Sequence, residues 1–271
     1  MLHLEKEKCL GCGMCVKHCY SAYLTMGREH PVLPENDCLN CGHCSAICPT
    51  KALTVVGNGY SEKEVTEYHR DTMNIDAKEL LRFMQYRRSI RNYKPNAVPH
   101  ALLEQVLEAG RYSPTIGNFQ TLRYIVLEQE KMQYVKMAAA ALLEGKKQNH
   151  PAAALFRTEL IERIYHESHM NNVDKLFHGA PAVILIADKQ LSENGANTYI
   201  AASRMELMAQ SLGLGTCYCG LFLRATEIDS KILEALLVPE GHQIYAALTI
   251  GYPEDQYLRT VSRKPVLVEW R

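Results

Sequence analysis

Eight of the ten cysteines in this 271-residue chain lie within residues 9–48, as two copies of one spacing. The copies are Cys9, Cys12, Cys15, Cys19 and Cys38, Cys41, Cys44, Cys48. Two-residue gaps let one loop place three thiolates around a cubane iron–sulfur cluster, and a more distant cysteine supplies the fourth ligand. The spacing therefore predicts two 4Fe–4S clusters.

Zinc sites and disulfides are the alternatives for these thiols. Zinc sites use paired CxxC units separated by a long gap, and a third cysteine repeated in each run exceeds what two tetrahedral sites need. A disulfide framework needs an oxidising compartment, but the N-terminal sequence MLHLEKEKC has no apolar stretch typical of a secretory signal. We therefore favour clusters in a reducing cytoplasm.

The composition is that of a soluble protein with two domains. Hydrophobic residues make up 47% of the chain, and 30 basic residues balance 30 acidic ones. No basic excess points to nucleic acid. The longest uncharged run, from Leu207 to Leu223, contains Gln210, Ser211 and several glycines, so we expect no membrane span.

A polar stretch from Gly57 to Asn74 separates the cysteine-rich part from a part with regular apolar periodicity. Asp76 and Glu79 form a capping-box pattern that predicts a helix over 77–87, and Pro99 opens a second helix that should end at Gly110. Strands are predicted at 124–127, 183–187 and 244–250, and helices at 131–144, 152–166, 198–212 and 226–237.

Three arginines and a serine fall within five residues after the first of these helices: Arg87, Arg88, Ser89 and Arg91. Such a group can surround a phosphate dianion, with about 1.5–3 kcal/mol from each charge-assisted contact where water is excluded. The alternative is that these cations only complement the helix dipole, which contributes about 0.3–1 kcal/mol when exposed. Spacing alone does not decide between the two.

The motif LGLGTCYCG at 212–220 contains a GLG sequence that could suggest a dinucleotide site. Gly213 and Gly215 follow a helical pattern and precede an apolar run, which favours a helix C-cap. Cys217 and Cys219 are one residue apart and cannot clasp a metal as CxxC does, so we interpret them as buried thiols.

The first cysteine-rich part resembles the bacterial two-cluster ferredoxins, whose pattern CxxCxxCxxxCP is matched from Cys38 to Pro49. In that family the fourth cysteine of each run ligates the other cluster. Tyr20 stands where the first run would have proline. The resemblance implies two crossed ligand sets, Cys9, Cys12, Cys15 with Cys48, and Cys38, Cys41, Cys44 with Cys19.

The remainder, from Asp76 onwards, resembles the flavin-dependent nitroreductase family in four motifs. They are RRSIRNYKP at 87–95, SPTIGNFQ at 113–120, LGLGTCYCG at 212–220, and IGYP at 250–253 followed by SRKP at 262–265. The two resemblances together imply an α+β protein: a ferredoxin-like domain at 1–58, a linker at 59–75, and a three-layer α/β/α nitroreductase-like domain at 76–271 that binds FMN as a homodimer.

The nitroreductase resemblance also implies flavin ligands by position. Binders of the FMN phosphate and the polar ring edge are matched by Arg87, Ser89 and Arg91, with Arg88 beside them and Arg263 returning from the C-terminal segment. A segment that reaches the flavin of the other subunit is matched by Pro114, Thr115 and Asn118. The backbone facing flavin N5 is matched by Cys219 and Gly220, although many relatives have an acidic residue at position 219. Thr121 and Leu122 stand where Pro-Trp often follows the glutamine.

The combined reading is a reductase in which electrons pass from the two clusters through FMN to a small organic acceptor such as a nitroaromatic, quinone or activated alkene. Reduced ferredoxin or another low-potential donor is the expected source of electrons, and NAD(P)H is the other candidate. Two alternatives stay open: the same fold with another flavin reaction such as reductive dehalogenation, and a non-catalytic electron carrier or redox sensor. His166, His169 and His178 lie where the family often has a substrate cover, and we interpret them mainly as solvated surface and leave the catalytic acid unassigned.

Overall fold

The structure, a computed structural model, describes residues 2–20, 22–34, 38–57, 59–69, 71, 73–189 and 195–271. The chain divides into two compact units, Met1–Ile75 with Gly117–Phe119, and Asp76–Ile116 with Gln120–Arg271. The stretch 59–75, predicted as a linker, groups with the first unit. Asn58, at the end of the predicted first domain, and Arg70 and Thr72, in the predicted linker, lie outside the described residues.

Short elements build the first unit around its two cysteine runs. Its elements are β1 (Leu2–Leu4), α1 (Met14–Lys17), β2 (Thr25–Met26), β3 (Pro31–Val32), α2 (His43–Ala46) and β4 (Leu53–Val55), with 3₁₀ turns at Lys6–Lys8 and Glu62–Glu64. Strand β1 pairs antiparallel with β4, and β2 with β3. Each helix carries the third cysteine of one run, and these two cysteines, Cys15 and Cys44, are buried with Leu24 and Leu53 in one apolar cluster.

The second unit alternates helices with longer strands. Its elements are α3 (Ala77–Tyr86), α4 (His100–Arg111), β5 (Arg123–Leu127), α5 (Lys131–Lys147), α6 (Pro151–Ala154), α7 (Thr158–Met170), β6 (Ala182–Lys189), α8 (Ala196–Ser211), β7 (Gly215–Tyr218), α9 (Gly220–Ile228), α10 (Lys231–Ala235) and β8 (His242–Gly251). A 3₁₀ turn spans Ile116–Asn118. No helix among the described residues is both long and apolar enough to cross a bilayer.

Strands β5, β6, β8 and β7 form one antiparallel sheet in that order, with helices on both faces. Because side chains alternate along a strand, Val183 and Leu185 of β6 pack with α5, α7 and α9, whereas Ile184 and Ile186 pack with α4 and α8. Burial of each such side chain contributes about 1.5–3 kcal/mol. The second unit therefore has three layers, helix on sheet on helix.

The predicted helix start at Asp76 and the strands within β5, β6 and β8 are confirmed. The Asp76 carboxylate accepts hydrogen bonds from the backbone N–H groups of Lys78 and Glu79, both at 3.0 Å, and so caps α3. The helix C-cap at Gly213 is also confirmed: its φ is +74°, and the N–H of Leu214 donates to the carbonyl of Ala209 at 2.8 Å.

Other element predictions were wrong. Helix α4 continues through Gly110, which is small for packing: a Cβ there would lie 2.7 Å from the Tyr124 hydroxyl oxygen. Gly215 begins strand β7, where a Cβ would lie 2.4 Å from Ile90. The helix predicted over 152–166 is split into α6 and α7 at the extended residue Arg157, and the one over 226–237 is interrupted between α9 and α10 by the extended Asp229.

Candidate functional site

Two cavities in the first unit are each lined by four cysteines. One cavity is lined by Cys9, Cys12, Cys15 and Cys48, together with Leu4, Pro31 and Leu53. The other is lined by Cys19, Cys38, Cys41 and Cys44, together with Leu2, Leu24 and Val55. Each cavity thus takes three thiols from one run and the last thiol from the other run. Four thiols around an apolar cavity are a donor set that fits an iron–sulfur cluster.

The thiols differ in how their surroundings treat the thiolate form. Burial raises the pKa of Cys44 to about 11 and also raises that of Cys15. Burial acts in the same direction on Cys48, but hydrogen bonds from Thr50 and the backbone that follows outweigh it, so the pKa of Cys48 is lowered. The Ala52 N–H donates to Cys48 Sγ at 3.3 Å. Among the described residues, no three His, Cys, Asp or Glu side chains gather closely enough to hold a single metal ion.

The second unit contains a cavity of about 240 Å³, called the arginine cavity below. It is lined by Arg263 and by the four predicted residues of the stretch 87–91, called the arginine segment. Its lining residues are Arg87, Arg88, Ser89, Arg91, Tyr257, Val261 and Arg263. The segment runs from the end of α3 alongside β7. There Ser89 forms an isolated parallel β-bridge with Thr216, and the Ile90 N–H donates to the Thr216 carbonyl at 2.9 Å. Arg263 comes from the exposed chain after β8. The fold therefore brings four arginines from two distant segments to the lining of one cavity.

Two of these arginines, Arg87 and Arg88, are held differently. Arg87 Nη1 donates to Glu206 Oε1 at 2.9 Å, and the Thr216 hydroxyl donates to the same oxygen at 3.4 Å. The guanidinium of Arg88 turns back and donates to the carbonyls of Gln85 and Arg87, which are at the C-terminal end of α3. Arg88 therefore serves partly as the cation that complements the helix dipole.

A chain of buried polar groups holds the segment at 113–121. The Asn197 side chain accepts from the Ile116 N–H at 3.1 Å and donates to Asp188 at 2.8 Å, and the Thr121 hydroxyl donates to the other oxygen of Asp188. The Thr115 hydroxyl accepts from the Gln120 N–H at 3.0 Å. Thr121, where the family often has proline, is thus bonded to a fully buried carboxylate.

Pro114, Thr115 and Asn118 do not line the arginine cavity of the chain described. Asn118 belongs to the first unit, where its side-chain amide donates to the carbonyls of Leu39 at 3.0 Å and Asn40 at 3.1 Å. These carbonyls lie between two cysteines of the second run. The contact of all three residues with a flavin of another subunit stays a prediction.

The two cysteines of the third motif are both buried, as predicted from sequence. Cys219 Sγ lies 3.4 Å from the Leu176 carbonyl and packs in the core with Phe222, and burial raises its pKa to about 12. Cys217 is also raised in pKa by burial, whereas Arg91 and Ser89 act against the shift. The Cys219 thiol therefore faces the core, and Gly220 begins α9.

The three histidines of the expected substrate cover are not equivalent: His166 on α7 is exposed, as expected for solvated surface. His169 on α7 stacks on Tyr165, with ring centroids 4.0 Å apart. His178 is half-buried in the loop before β6, and its pKa is lowered by burial and by the cations Arg91 and Lys175. The interpretation of His178 as solvated surface was therefore wrong, because the loop before β6 half-buries its side chain.

Glu206 and Asp188 are the site residues that sequence reasoning missed. Each acts through a partner far away in the chain: Glu206 is 119 residues from Arg87, and Asp188 is 67 residues from Thr121. A carboxylate at position 206 of α8, next to Met205 and one turn from Ala202 and Ala209 on a buried helix face, is the only sequence signal that could have drawn attention to the first of them.

Comparison with known proteins follows the same division of the chain. The nitroreductase family matches residues 84–252, and a 4Fe-4S dicluster domain matches residues 8–52. An Archaeoglobus fulgidus protein, provisionally assigned as an NADH dehydrogenase/NAD(P)H nitroreductase, is 24% identical over 183 residues, which is 66% of this chain and 87% of that protein.

Solved structures show a similar fold for the second unit. An FMN-bound nitroreductase from Bacteroides fragilis is 24% identical with a TM-score of 0.56, and the match covers 70% of this chain and 99% of the Bacteroides fragilis chain. An FMN-bound nitroreductase from Desulfitobacterium hafniense is 24% identical with a TM-score of 0.55, covering 70% and 98%. At this level of identity the likeness is one of fold.

Proposed function

Because the chain belongs to the nitroreductase family and carries a 4Fe-4S dicluster domain, we propose that it is an FMN-dependent oxidoreductase fed by two 4Fe–4S clusters. The acceptor that we propose is a small electrophilic organic molecule such as a nitroaromatic, a quinone or an activated alkene. When bound, the clusters supply single electrons and the flavin delivers two together as hydride.

The observation that carries the proposal is that one chain contains two four-thiol cavities and a four-arginine cavity. We assign one cluster to each thiol cavity, with Cys48 and Cys19 as the exchanged ligands. Deprotonated thiols are the ligands of such clusters, and the hydrogen bonds that lower the pKa of Cys48 favour that form.

The arginine cavity is proposed to hold the phosphate end of FMN. Arg87, Ser89, Arg91 and Arg263 offer several N–H donors and a hydroxyl, and guanidinium groups suit a phosphate dianion in charge and geometry. Arg88 adds positive charge beside them. We further propose a homodimer in which the main chain at Cys219 and Gly220 faces the flavin ring and a second subunit contributes Pro114, Thr115 and Asn118.

Replacement of Arg263 tests the phosphate assignment most cleanly, because Arg263 lies in exposed chain and its loss should leave the fold intact. Arg263→Ala should weaken FMN binding about tenfold, the lower end expected for one charge-assisted contact, and should leave riboflavin binding unchanged. Arg259→Ala is the matched control, since Arg259 lies in the same segment but outside the cavity. Equal effects of the two substitutions on FMN would refute the assignment.

Pairs of cysteine variants test the crossed ligand sets. If the sets are crossed, Cys48→Ser should alter the same cluster signal in electron paramagnetic resonance as Cys12→Ser, and Cys19→Ser the same signal as Cys41→Ser. Uncrossed sets would instead group Cys48 with Cys41 and Cys19 with Cys12. The spectra need only sort the four variants into two classes, so neither signal has to be assigned beforehand.

An electron-donor screen tests the catalytic part of the proposal. Holoprotein given reduced ferredoxin under anaerobic conditions should reduce a quinone or nitroaromatic acceptor, with NADH and NADPH compared in parallel. Slower turnover in Cys48→Ser, at unchanged FMN content, would support passage of electrons through the clusters. Holoprotein that binds all cofactors but reduces no acceptor with any donor would instead identify an electron carrier or sensor.

A further inference from the structure

The last turn of α3 and the start of the arginine segment are held to α8 by two polar side chains one helical turn apart. Glu206 accepts from Arg87 Nη1 at 2.9 Å, and the Gln210 side-chain amide donates to the Phe83 carbonyl at 2.7 Å. Residues four apart lie on the same face of a helix, so both reach the same neighbour. Helix α3 has no buried residue of its own, so these two contacts add to those with β7 in fixing where the helix ends and the segment begins.

Glu206 is placed to control Arg87 in particular. Its side chain is only 9% exposed, whereas that of Arg87 is 28% exposed and lines the cavity. The hydroxyl of Thr216 in β7 donates to the same carboxylate oxygen at 3.4 Å, which ties the ion pair to the sheet. One carboxylate thus connects the arginine to a helix and to a strand.

Arginine has five N–H donors, and one of them is used by Glu206. A long side chain that is already held at one nitrogen loses less conformational entropy when its other donors bind an anion. The ion pair with Glu206 therefore prepares Arg87 to bind an anion. The carboxylate also offsets one of the four positive charges around the cavity. Burial raises the pKa of the Glu206 carboxyl, and Arg87 and Thr216 act against that shift.

We propose that Glu206 is a positioning residue that holds the Arg87 guanidinium in the orientation that binds the phosphate of FMN. The inference rests on the proposed function, since it takes the arginine cavity as the phosphate site. Glu206 itself does not contact the phosphate, because two negative groups would repel each other.

The test compares FMN with riboflavin, which has the same ring and no phosphate. With cluster-loaded protein, Glu206→Ala should weaken FMN binding about 10- to 100-fold, measured by quenching of flavin fluorescence, and leave riboflavin binding within about twofold. Glu206→Gln retains the acceptor oxygen and should restore most of the FMN affinity. Glu104→Ala, an exposed carboxylate on α4, is the control and should change neither.

Four outcomes would overturn the inference. Equal loss of FMN and riboflavin would show a general structural role, no loss of either would show that Arg87 needs no support, and tighter FMN binding by Glu206→Ala would show competition with the phosphate. Glu206→Gln as weak as Glu206→Ala would assign the effect to charge and not to position. Failure of the proposed function looks different: the wild-type protein itself would then show no preference for FMN over riboflavin.

Discussion

Many nitroreductases have an acidic residue at the position of Cys219, but replacement of Cys219 by the acidic residue aspartate should destabilise this protein strongly. The Cys219 side chain is buried in the core cluster beside Phe222, with its sulfur 3.4 Å from the Leu176 carbonyl oxygen. An aspartate in this orientation would place a carboxylate against a carbonyl oxygen and near the carboxylate of Asp174, which already acts on Cys219 electrostatically. The two groups that act on Cys219 electrostatically, Cys217 and Asp174, both oppose a negative charge there.

The size of the effect follows from that burial. An uncompensated buried charge costs about 3–5 kcal/mol of folding free energy. For a domain of about 150–250 residues, 1 kcal/mol shifts the melting temperature by about 2–4 °C, so Cys219→Asp should lower it by about 6–20 °C. Cys219→Ala removes only one small buried group and should cost about 1 kcal/mol, or about 2–4 °C.

Thermal unfolding followed by circular dichroism on anaerobically prepared holoprotein, at one scan rate for all variants, measures these differences. FMN affinity should be retained in Cys219→Ala, because only the main chain at this position is assigned to the flavin. If Cys219→Asp instead melts within about 2 °C of the wild type and changes FMN binding, the side chain faces the flavin and our placement of it is wrong.

Three further variants test other parts of the structure. Thr121→Val removes a donor from the buried carboxylate of Asp188 and should lower the free energy of unfolding, measured by chemical denaturation, by about 1.5–3 kcal/mol. Thr121→Ser keeps the hydroxyl and should lower it by less than about 1 kcal/mol. Equal losses would argue against this hydrogen bond. Gly215→Ala would place a Cβ 2.4 Å from Ile90 Cγ1 and should weaken FMN binding through the adjacent segment, with partial recovery when Ile90→Ala, which removes that Cγ1, is added; retained affinity without that change would contradict the packing. His178→Asn should flatten the fall in melting temperature between pH 7.5 and 5.5. Since burial and nearby cations lower the pKa of His178, the unfolded chain binds its proton more readily and the wild type loses stability as pH falls through about 6.5; identical pH profiles would refute the assignment.

Local patterns in the sequence predicted the elements that have strong local signals. The Asp76 cap starts α3, and the apolar runs within β6 and β8 became the central strands of the sheet. Strand β7 was missed because four residues carry little periodicity, and its pairing with β8 is set by partners far along the chain. Gly110 was wrongly predicted to end helix α4. A glycine is needed there because the helix packs closely against Tyr124, and that tertiary contact cannot be recognised from the local sequence.

The candidate sites divide in the same way. Cysteine spacing alone predicted two clusters, and the resemblance to the two-cluster ferredoxins added the crossed ligand sets. The resemblance to the nitroreductases added Arg263, which lies 176 residues after Arg87 in the sequence. Glu206 could not be identified, because a carboxylate on a helix acquires its role only when the fold brings Arg87 to it. Arg88 shows the reverse: its motif position implies a cofactor ligand, whereas its guanidinium donates to carbonyls at the end of α3.

The cofactor content of the native protein tests the central claim most directly. Protein purified anaerobically should contain about eight irons and eight acid-labile sulfides per chain, as two cubane clusters require, and about one FMN. Zinc or disulfides at the cysteine runs, or the absence of flavin from protein that retains its clusters, would contradict the account.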